Sequence, residues 1–254
     1  QIDGNGGGTL EFDVRDDEAV AEVALQFPAI THPSANIRDA RLDLVIDDYL
    51  GVPRPTGSLN VASVEAGSND VSGLNVEFTQ TGGWTEFDAE AQAAGFPVTL
   101  DGRVKPGDAG TEIELEAGRT SYRGLTIALS GPARAVVRDG VAQIERLVIS
   151  PGGGEVSVTG TAGGETLDID ASVSSLPLSL VNALAPATGL SGTVSGSVDV
   201  TGSPSSPQVR YNLRGSGVGA AAASSIADVR LSVDASGGFS DGRLNFDARA
   251  NGGG

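Results

Sequence analysis

A two-residue alternation of apolar and polar side chains recurs along most of this chain. A clear example is residues 191–201, where Val194, Val198 and Val200 alternate with serine, threonine and aspartate. Successive side chains of a β-strand point to opposite faces of a sheet, so the pattern predicts a strand with one apolar face. The turn sequence at 202–207, which contains two prolines, is followed by a second alternating segment. This order predicts a hairpin of two antiparallel strands.

About seventeen such segments follow one another at a spacing of roughly fifteen residues. The 254-residue chain contains 37 glycines and 12 prolines, and only 4% of its residues are aromatic, which suits many strands joined by tight turns. One helix of about two turns is predicted where Leu178, Val181 and Leu184 recur at helical spacing between Pro177 and Pro186. The sequence therefore predicts an all-β fold, an elongated antiparallel sheet with one short helix, forming one continuous segment over residues 1–254.

The apolar face of this predicted sheet needs cover, because one short helix cannot form a second layer over it. The sheet must then curl, either closing into a tube or folding lengthwise into a hydrophobic trough. The residues predicted to line the apolar inside are Leu42, Leu44, Ile46, Leu74, Val76, Phe78, Leu100, Ile113, Leu115, Leu125, Ile127, Leu129, Val137, Leu147, Ile149, Val156, Val158, Leu167, Ile169, Val173, Val194, Val198, Val209, Tyr211, Leu213, Val229, Leu231, Val233, Leu244 and Phe246.

The net charge of −17 argues against nucleic acid as a partner and against adsorption to anionic membrane surfaces. The chain has no cysteine, which excludes disulfides and cysteine-ligated zinc. No stretch approaches the roughly 20 apolar residues of a transmembrane helix, and no signal peptide opens the chain. Both ends look cut, so we expect a fragment of a longer protein whose membrane contacts lie in termini outside it.

The sequence also lacks a pattern typical of catalysis, and it predicts neither an enzyme nor a cofactor or metal site. His32 is the only histidine and lies in a turn sequence. Asp168 and Asp170 share one strand face but continue a solvated polar row. An EF-hand loop opened by Asp3 would need a glutamate where Val14 stands. The glycine runs lack the context of a phosphate-binding loop and are predicted to be turns.

The segment from about Gly124 to Val218 resembles the TamB family, the inner-membrane subunits of the translocation and assembly module, within the wider AsmA-like group. The resemblance depends on the order of four elements: the GGGEVSVTG strand at 152–160, the LPL helix at 176–178, the LSGTVSGSVDVTG strand at 190–202 and the SPSSPQV turn at 203–209. It implies a β-taco, a lengthwise-folded sheet with a hydrophobic trough, that crosses the periplasm as part of an inner-membrane-anchored protein. It also implies an outer-membrane barrel partner of the same module, outside this fragment.

Three functions remain open on these grounds. The first is conduction of phospholipids between the inner and outer membranes along the trough. The second is a chaperone-like role in which exposed sheet edges pair with unfolded outer-membrane strands. The third is a structural β-solenoid stalk whose interior is filled by its own side chains.

Overall fold

The computed structural model describes residues 3–15, 18–32, 35–66, 69–107, 110–122, 124–184, 188–220, 230–240 and 242–252. Within these ranges the protein consists of seventeen strands and one short helix, and every pairing between neighbouring strands for which a register is given is antiparallel. The all-β fold predicted from the alternation is therefore confirmed. The chain divides into two compact units, Gln1–Thr120 and Ser121–Gly254. Whether residues 1–254 act as one continuous segment stays a prediction.

The N-terminal unit is a meander in which each strand pairs with the next along the chain. Its strands are β1 (Asp3–Arg15), β2 (Glu18–His32), β3 (Ala35–Asp47), β4 (Arg54–Ala66), β5 (Asn69–Thr81), β6 (Trp84–Ala93), β7 (Phe96–Gly107) and β8 (Gly110–Tyr122), the last of which ends just past the unit boundary.

The C-terminal unit is a second antiparallel meander with one interruption at its start. Its strands are β9 (Leu125–Leu129), β10 (Ala133–Arg138), β11 (Val141–Pro151), β12 (Glu155–Gly163), β13 (Thr166–Pro177), β14 (Ser191–Ser203), β15 (Ser206–Gly219), β16 (Leu231–Ser240) and β17 (Arg243–Gly252). The short strands β9 and β10 both pair with β11, β10 with residues 141–146 and β9 with residues 149–151. They therefore lie end to end along one edge of β11.

The register places the apolar residues of neighbouring strands opposite one another within each unit. In the N-terminal unit one row of opposed residues crosses six strands from β2 to β7: Leu25, Leu42, Leu59, Val76, Ala89 and Leu100. In the C-terminal unit a comparable row crosses seven strands from β11 to β17: Leu147, Val158, Ala171, Val198, Tyr211, Gly237 and Phe246. We call the side of each sheet that carries these rows its apolar face, and the other side its polar face.

β-Bulges interrupt the pairing at intervals and bend the sheets. In the C-terminal unit an extra residue is inserted in alternate strands: in β11 after Ile144, in β13 after Val173 and in β15 after Gly215. The β13 bulge contains Ser175 at a φ of 49°, a left-handed conformation that is rare for serine. Because a bulge increases local twist and bends its strand, repeated bulges curl a sheet. The predicted curl has this physical cause.

The helix α1 (Ser179–Leu184) lies in the connection between β13 and β14, as the sequence predicts. Val181, placed on its buried face by the sequence pattern, is 39% exposed. Leu180 is instead partly buried and lies over the turn glycine Gly152, beside Leu125. Asn182 ties the helix to the start of β14, since its Oδ1 accepts from Leu190 N at 2.7 Å and its Nδ2 donates to Leu190 O at 2.8 Å. Pro186 lies outside the described residues.

The glycine run at the start of the chain, predicted to be a turn, instead lies inside strand β1. A side chain at Gly6 would overlap the ring of Phe27, whose Cδ1 would lie 2.2 Å from a Cβ. The glycine gives the ring of the neighbouring strand room to lie flat against the sheet, which is a known way to offset the weak strand preference of glycine. The turn prediction failed because glycine also marks close approach within strands.

None of the described side chains is fully buried. The chain exposes 15307 Å². A compact globular protein of this mass would expose about 10,000 Å², and two separate compact proteins of half the mass about 12,500 Å². Few apolar residues are well buried, among them Val20, Val61 and Val148. None of the described helices is long and apolar enough to cross a membrane.

Candidate functional site

The apolar faces are the candidate functional site, and the structure assembles them from the residues that the sequence predicts. All predicted lining residues that the structure describes lie on the apolar face of their own unit, either in opposed rows or by alternation with residues in those rows. Val229 lies outside the described residues. Placement on one face is a statement of geometry, and binding of a lipid there stays a prediction.

Exposure of these side chains increases towards the strands at the ends of the chain. Residues of the inner strands, such as Leu42 and Val198, are partly buried by their neighbours. On β1 the apolar side chains are more than half exposed, with Phe12 at 59%. On β17, Leu244 and Phe246 are 62% and 72% exposed. Strongly exposed apolar side chains on β1 and β17, next to rows that are only partly buried, are unusual for a soluble protein and indicate an interaction site.

Polar atoms on the apolar face of the N-terminal unit are paired with each other rather than left open. Gln80 and Thr85 are directly opposed on β5 and β6, in line with Pro55 and Val104. The Gln80 Nε2 donates to Thr85 Oγ1 at 2.6 Å and to the Pro55 carbonyl at 2.9 Å. Thr85 is only 5% exposed. These internal hydrogen bonds spare an apolar ligand the cost of desolvating the amide.

The polar face carries the charges, and several of them are paired across strands. Arg103 on β7 contacts the Glu114 carboxylate on β8 through its Nε at 2.9 Å, and Arg214 on β15 contacts Asp234 on β16 at 2.8 Å. The Arg103 guanidinium also lies 4.7 Å from the ring of Trp84. Charges confined to this face keep it in water.

Like charges also meet on the polar face. Asp101 on β7 is directly opposite Asp88 on β6. Partial burial, a hydrogen bond with the Asp88 carboxyl and repulsion by Asp88, Glu116 and Glu90 raise the pKa of Asp101 above its ordinary value. This row of carboxylates opposes the binding of anions at that point.

The residues weighed for catalysis belong to different units. His32 is the last residue of β2 and is exposed. Asp168 and Asp170 lie on the polar face of β13, opposite Thr161 and Thr159 of β12. Among the described residues no three histidine or carboxylate side chains are grouped as a metal site would require.

Some residues of the apolar face were missing from the set predicted from sequence. The register adds Phe87 to the N-terminal face and Phe239 to the C-terminal face. Alternation with Glu86 and Asp88 could have identified Phe87. Phe239 follows two glycines, and no charged neighbour indicates its side of the strand.

Comparison with models of known protein families, with curated proteins and with solved structures gives no match for this chain. The TamB resemblance therefore stays a prediction from sequence.

Proposed function

We propose that this protein binds phospholipids on its apolar faces and conducts them between membranes. The observation that carries the proposal is a face of opposed apolar rows, several strands wide in each unit, whose side chains are at most partly buried in most positions. The polar face of the same strands carries the ionised side chains. A lipid has the matching division, with acyl chains that prefer the apolar face and a head group that stays in water.

Burial of the acyl chains supplies the affinity in this proposal. Each buried CH₂ contributes about 0.8 kcal/mol, so even partial cover of one chain holds it firmly. The two rows described above contain leucine, valine, alanine, glycine, one tyrosine and one phenylalanine, and no charged side chain. Such a lining has no deep pocket, so a chain can shift from one row to the next without losing much contact.

The resemblance to the TamB family supports a location for this activity. By that resemblance the protein belongs to the periplasm as part of an inner-membrane-anchored protein, where it conducts phospholipids towards the outer membrane. An outer-membrane barrel of the same module would be its partner. The cysteine-free, strongly acidic sequence is compatible with that compartment.

The test uses neighbouring residues of one strand that lie on opposite faces. A photo-crosslinking amino acid replaces Ile169 on the apolar face of β13, and in a second variant it replaces Asp168 on the polar face. Ile127 and Thr126 form a matching pair on β9. We expect mass spectrometry to find phospholipid attached at 169 and 127 only. Equal capture at both members of each pair would refute conduction along the apolar face.

One observation favours a second function, pairing with unfolded strands. In the strand registers that the structure gives, β1 pairs with β2 and β17 pairs with β16, and both terminal strands expose apolar side chains. Such edges can add a further strand by backbone hydrogen bonds. If crosslinks at 169 capture no lipid while a crosslinker on β17 captures a client peptide of outer-membrane sequence, this chaperone function replaces the first. The structural stalk stays a prediction from the sequence.

A further inference from the structure

An exposed apolar tip lies at one end of the N-terminal unit, in the connection between β3 and β4. Leu50 is 78% exposed and Val52 is 54% exposed, although their sequence neighbours include Asp47, Asp48 and Arg54. The tip lies outside the strand rows, so it is not part of the apolar face. Two neighbouring, strongly exposed aliphatic side chains in a turn are unfavourable in water unless another surface covers them.

The backbone of this tip is held in one conformation. Asp48, at a φ of 52°, accepts from Gly51 N through its carbonyl at 2.9 Å and from Val52 N through its Oδ2 at 3.1 Å. A Cβ at Gly51 would lie 2.5 Å from the Asp48 carboxylate, so a larger residue there would displace that side chain from the turn. The Asp48 carboxylate is thus turned towards the backbone of the turn. The tip presents Leu50 and Val52 without a cost of ordering the loop.

Tyr49 fixes the tip to the strands below it. Its backbone N donates to Ala19 O of β2 at 3.1 Å, and its ring packs against Phe12 of β1 with the centroids 5.3 Å apart. Phe12 and Val14 are themselves 59% and 69% exposed. The exposed apolar surface therefore extends from Leu50 and Val52 through the tyrosine to the end of β1.

From this geometry we propose that the Leu50 tip inserts into the interfacial region of a lipid bilayer and docks the end of the N-terminal unit on a membrane. Leu50 and Val52 lie on a short turn and are 78% and 54% exposed, so a protein partner would have to supply a pocket for them. A bilayer needs no pocket of matching shape. Tyrosine beside the tip is a residue that favours the membrane interface, where its ring is buried and its hydroxyl stays wet.

The same end of the unit carries further groups suited to lipid head groups. Trp84 begins β6, across the turn from Thr81 of β5, and this turn lies at the same end of the meander as the β3–β4 turn. The Lys105 ammonium and the Arg103 guanidinium lie 5.7 and 4.7 Å from its ring centroid. The Arg103 guanidinium is already paired with Glu114, so Lys105 is the basic side chain beside the ring that can reach a lipid phosphate.

Charge indicates which bilayer fits. The described residues Asp47 and Asp48 adjoin the tip, and the whole chain carries a charge of −17. An anionic surface would repel these carboxylates, so insertion rather than electrostatic attraction must hold the tip. We therefore expect docking on zwitterionic phosphatidylcholine. The contact is weak and reversible, because two aliphatic side chains bury little area.

The test exploits the absence of cysteine from the chain. Leu50→Cys is labelled with the polarity-sensitive fluorophore NBD, and Ser205→Cys in the polar turn between β14 and β15 is labelled as the control. Vesicles of phosphatidylcholine, with and without about 30% phosphatidylglycerol, are titrated to several millimolar lipid. We expect a blue shift and a several-fold rise in emission at position 50 and no change at 205. Val52→Ser in the labelled Leu50→Cys protein should weaken the partitioning by about fivefold, the loss of the buried valine area.

The remaining outcomes would overturn the proposal. A silent probe at position 50, or equal responses at 50 and 205, would exclude insertion of this tip. A response that requires phosphatidylglycerol would show electrostatic adsorption instead. A response to protein concentration without lipid would identify a second copy of the chain as the occupant. NBD emission reports on the Leu50 tip, whereas photo-crosslinking reports on the apolar face. Failure of the docking proposal therefore leaves the lipid-conduction proposal intact, and the reverse also holds.

Discussion

At the scale of single residues, neighbours on one strand have opposite environments, and this allows matched substitutions. Val194 on β14 lies on the apolar face between Leu176 and Gly215. Thr193 lies on the polar face between Pro177 and Ser216. Both are β-branched, so replacing either with aspartate loses a similar strand preference. Any difference between the two variants then reports on the face rather than on the strand.

We expect Val194→Asp to lower the phospholipid bound by the purified protein by about tenfold, because a lipid chain over this point would have to desolvate a carboxylate. Thr193→Asp should leave the bound lipid within about twofold of the parent. Lipid per protein is measured by mass spectrometry of extracts, and thermal melting confirms that both variants are folded. A similar loss in two folded variants would contradict a role for the apolar face.

The carboxylates opposed on β6 and β7 predict a pH effect. The pKa of Asp101 is raised mainly by partial burial and then by the opposed Asp88, so the folded protein holds this proton more firmly than the unfolded chain does. Stability from this site is therefore present at pH values below the raised pKa and is lost as the pH rises through it. We expect Asp101→Asn to raise the melting temperature at pH 7, by the equivalent of about 0.2–1 kcal/mol, and to have little effect at pH 4.

Asp168→Asn is the control for this effect, because Asp168 is opposed by Thr161 and Thr201 rather than by a carboxylate. Its melting temperature should follow that of the parent at both pH values. The quantity to compare is the melting temperature of Asp101→Asn minus that of the parent. If this difference is no larger at pH 7 than at pH 4, the proposed repulsion is contradicted.

At the scale of the strand, glycine positions decide whether neighbouring strands can approach. Gly196 lies on the apolar face of β14 at a φ of 153°, and a Cβ there would lie 2.0 Å from the Asn212 carbonyl oxygen of β15. We expect Gly196→Ala to push β14 and β15 apart and to destabilise the protein by about 1–3 kcal/mol in denaturant unfolding. Gly131→Ala, where a Cβ would meet nothing within 4 Å, should be nearly neutral. Equal stability of the two variants would contradict the close approach at Gly196.

The strands themselves could be predicted, because apolar and polar residues alternate wherever one side of a strand faces water and the other does not. In β13 the pattern of Leu167, Ile169 and Val173 fixes both the strand and its apolar face. The bulge that follows could not be predicted, since it places Leu176 on the face of Val173 although simple alternation puts it on the other. Bulges arise from pairing between strands, which a local pattern does not contain. For the same reason Val148, only 6% exposed on the face opposite Leu147, was missed.

The candidate site also has a part that could be predicted from the sequence and a part that could not. Its composition follows from the odd and even positions of each strand, so the apolar face was largely predictable. The Leu50 tip could not be predicted, because a turn has no two-residue period. The exposure of Leu50 depends on the hydrogen bonds that Asp48 makes with the turn backbone. The exposure of Phe12 and Phe246 depends on which strands lie at the ends of the pairing, which is also a tertiary property.

At the scale of the whole molecule, the large exposed area has a thermodynamic consequence. The unfolded chain would expose about 37,000 Å², so folding removes about a fifth less surface from water than it does in a compact protein of equal mass. The uncovered surface includes apolar side chains such as Phe12, Leu244 and Phe246. Apolar burial is the positive contributor to the heat capacity of unfolding.

We therefore expect calorimetry of the lipid-free protein to give a heat capacity of unfolding of about 10 cal/mol/K per residue or less, against the usual 12–15. Reloading with phospholipid should raise both this value and the melting temperature, because unfolding would then also expose the acyl chains or release them, and because a ligand of the folded state stabilises it. The Val194→Asp protein should show the low value whether or not lipid is added. A lipid-free protein with the usual heat capacity would mean that another surface covers the apolar faces in solution, and a change with its concentration would identify that surface as a second copy of the chain.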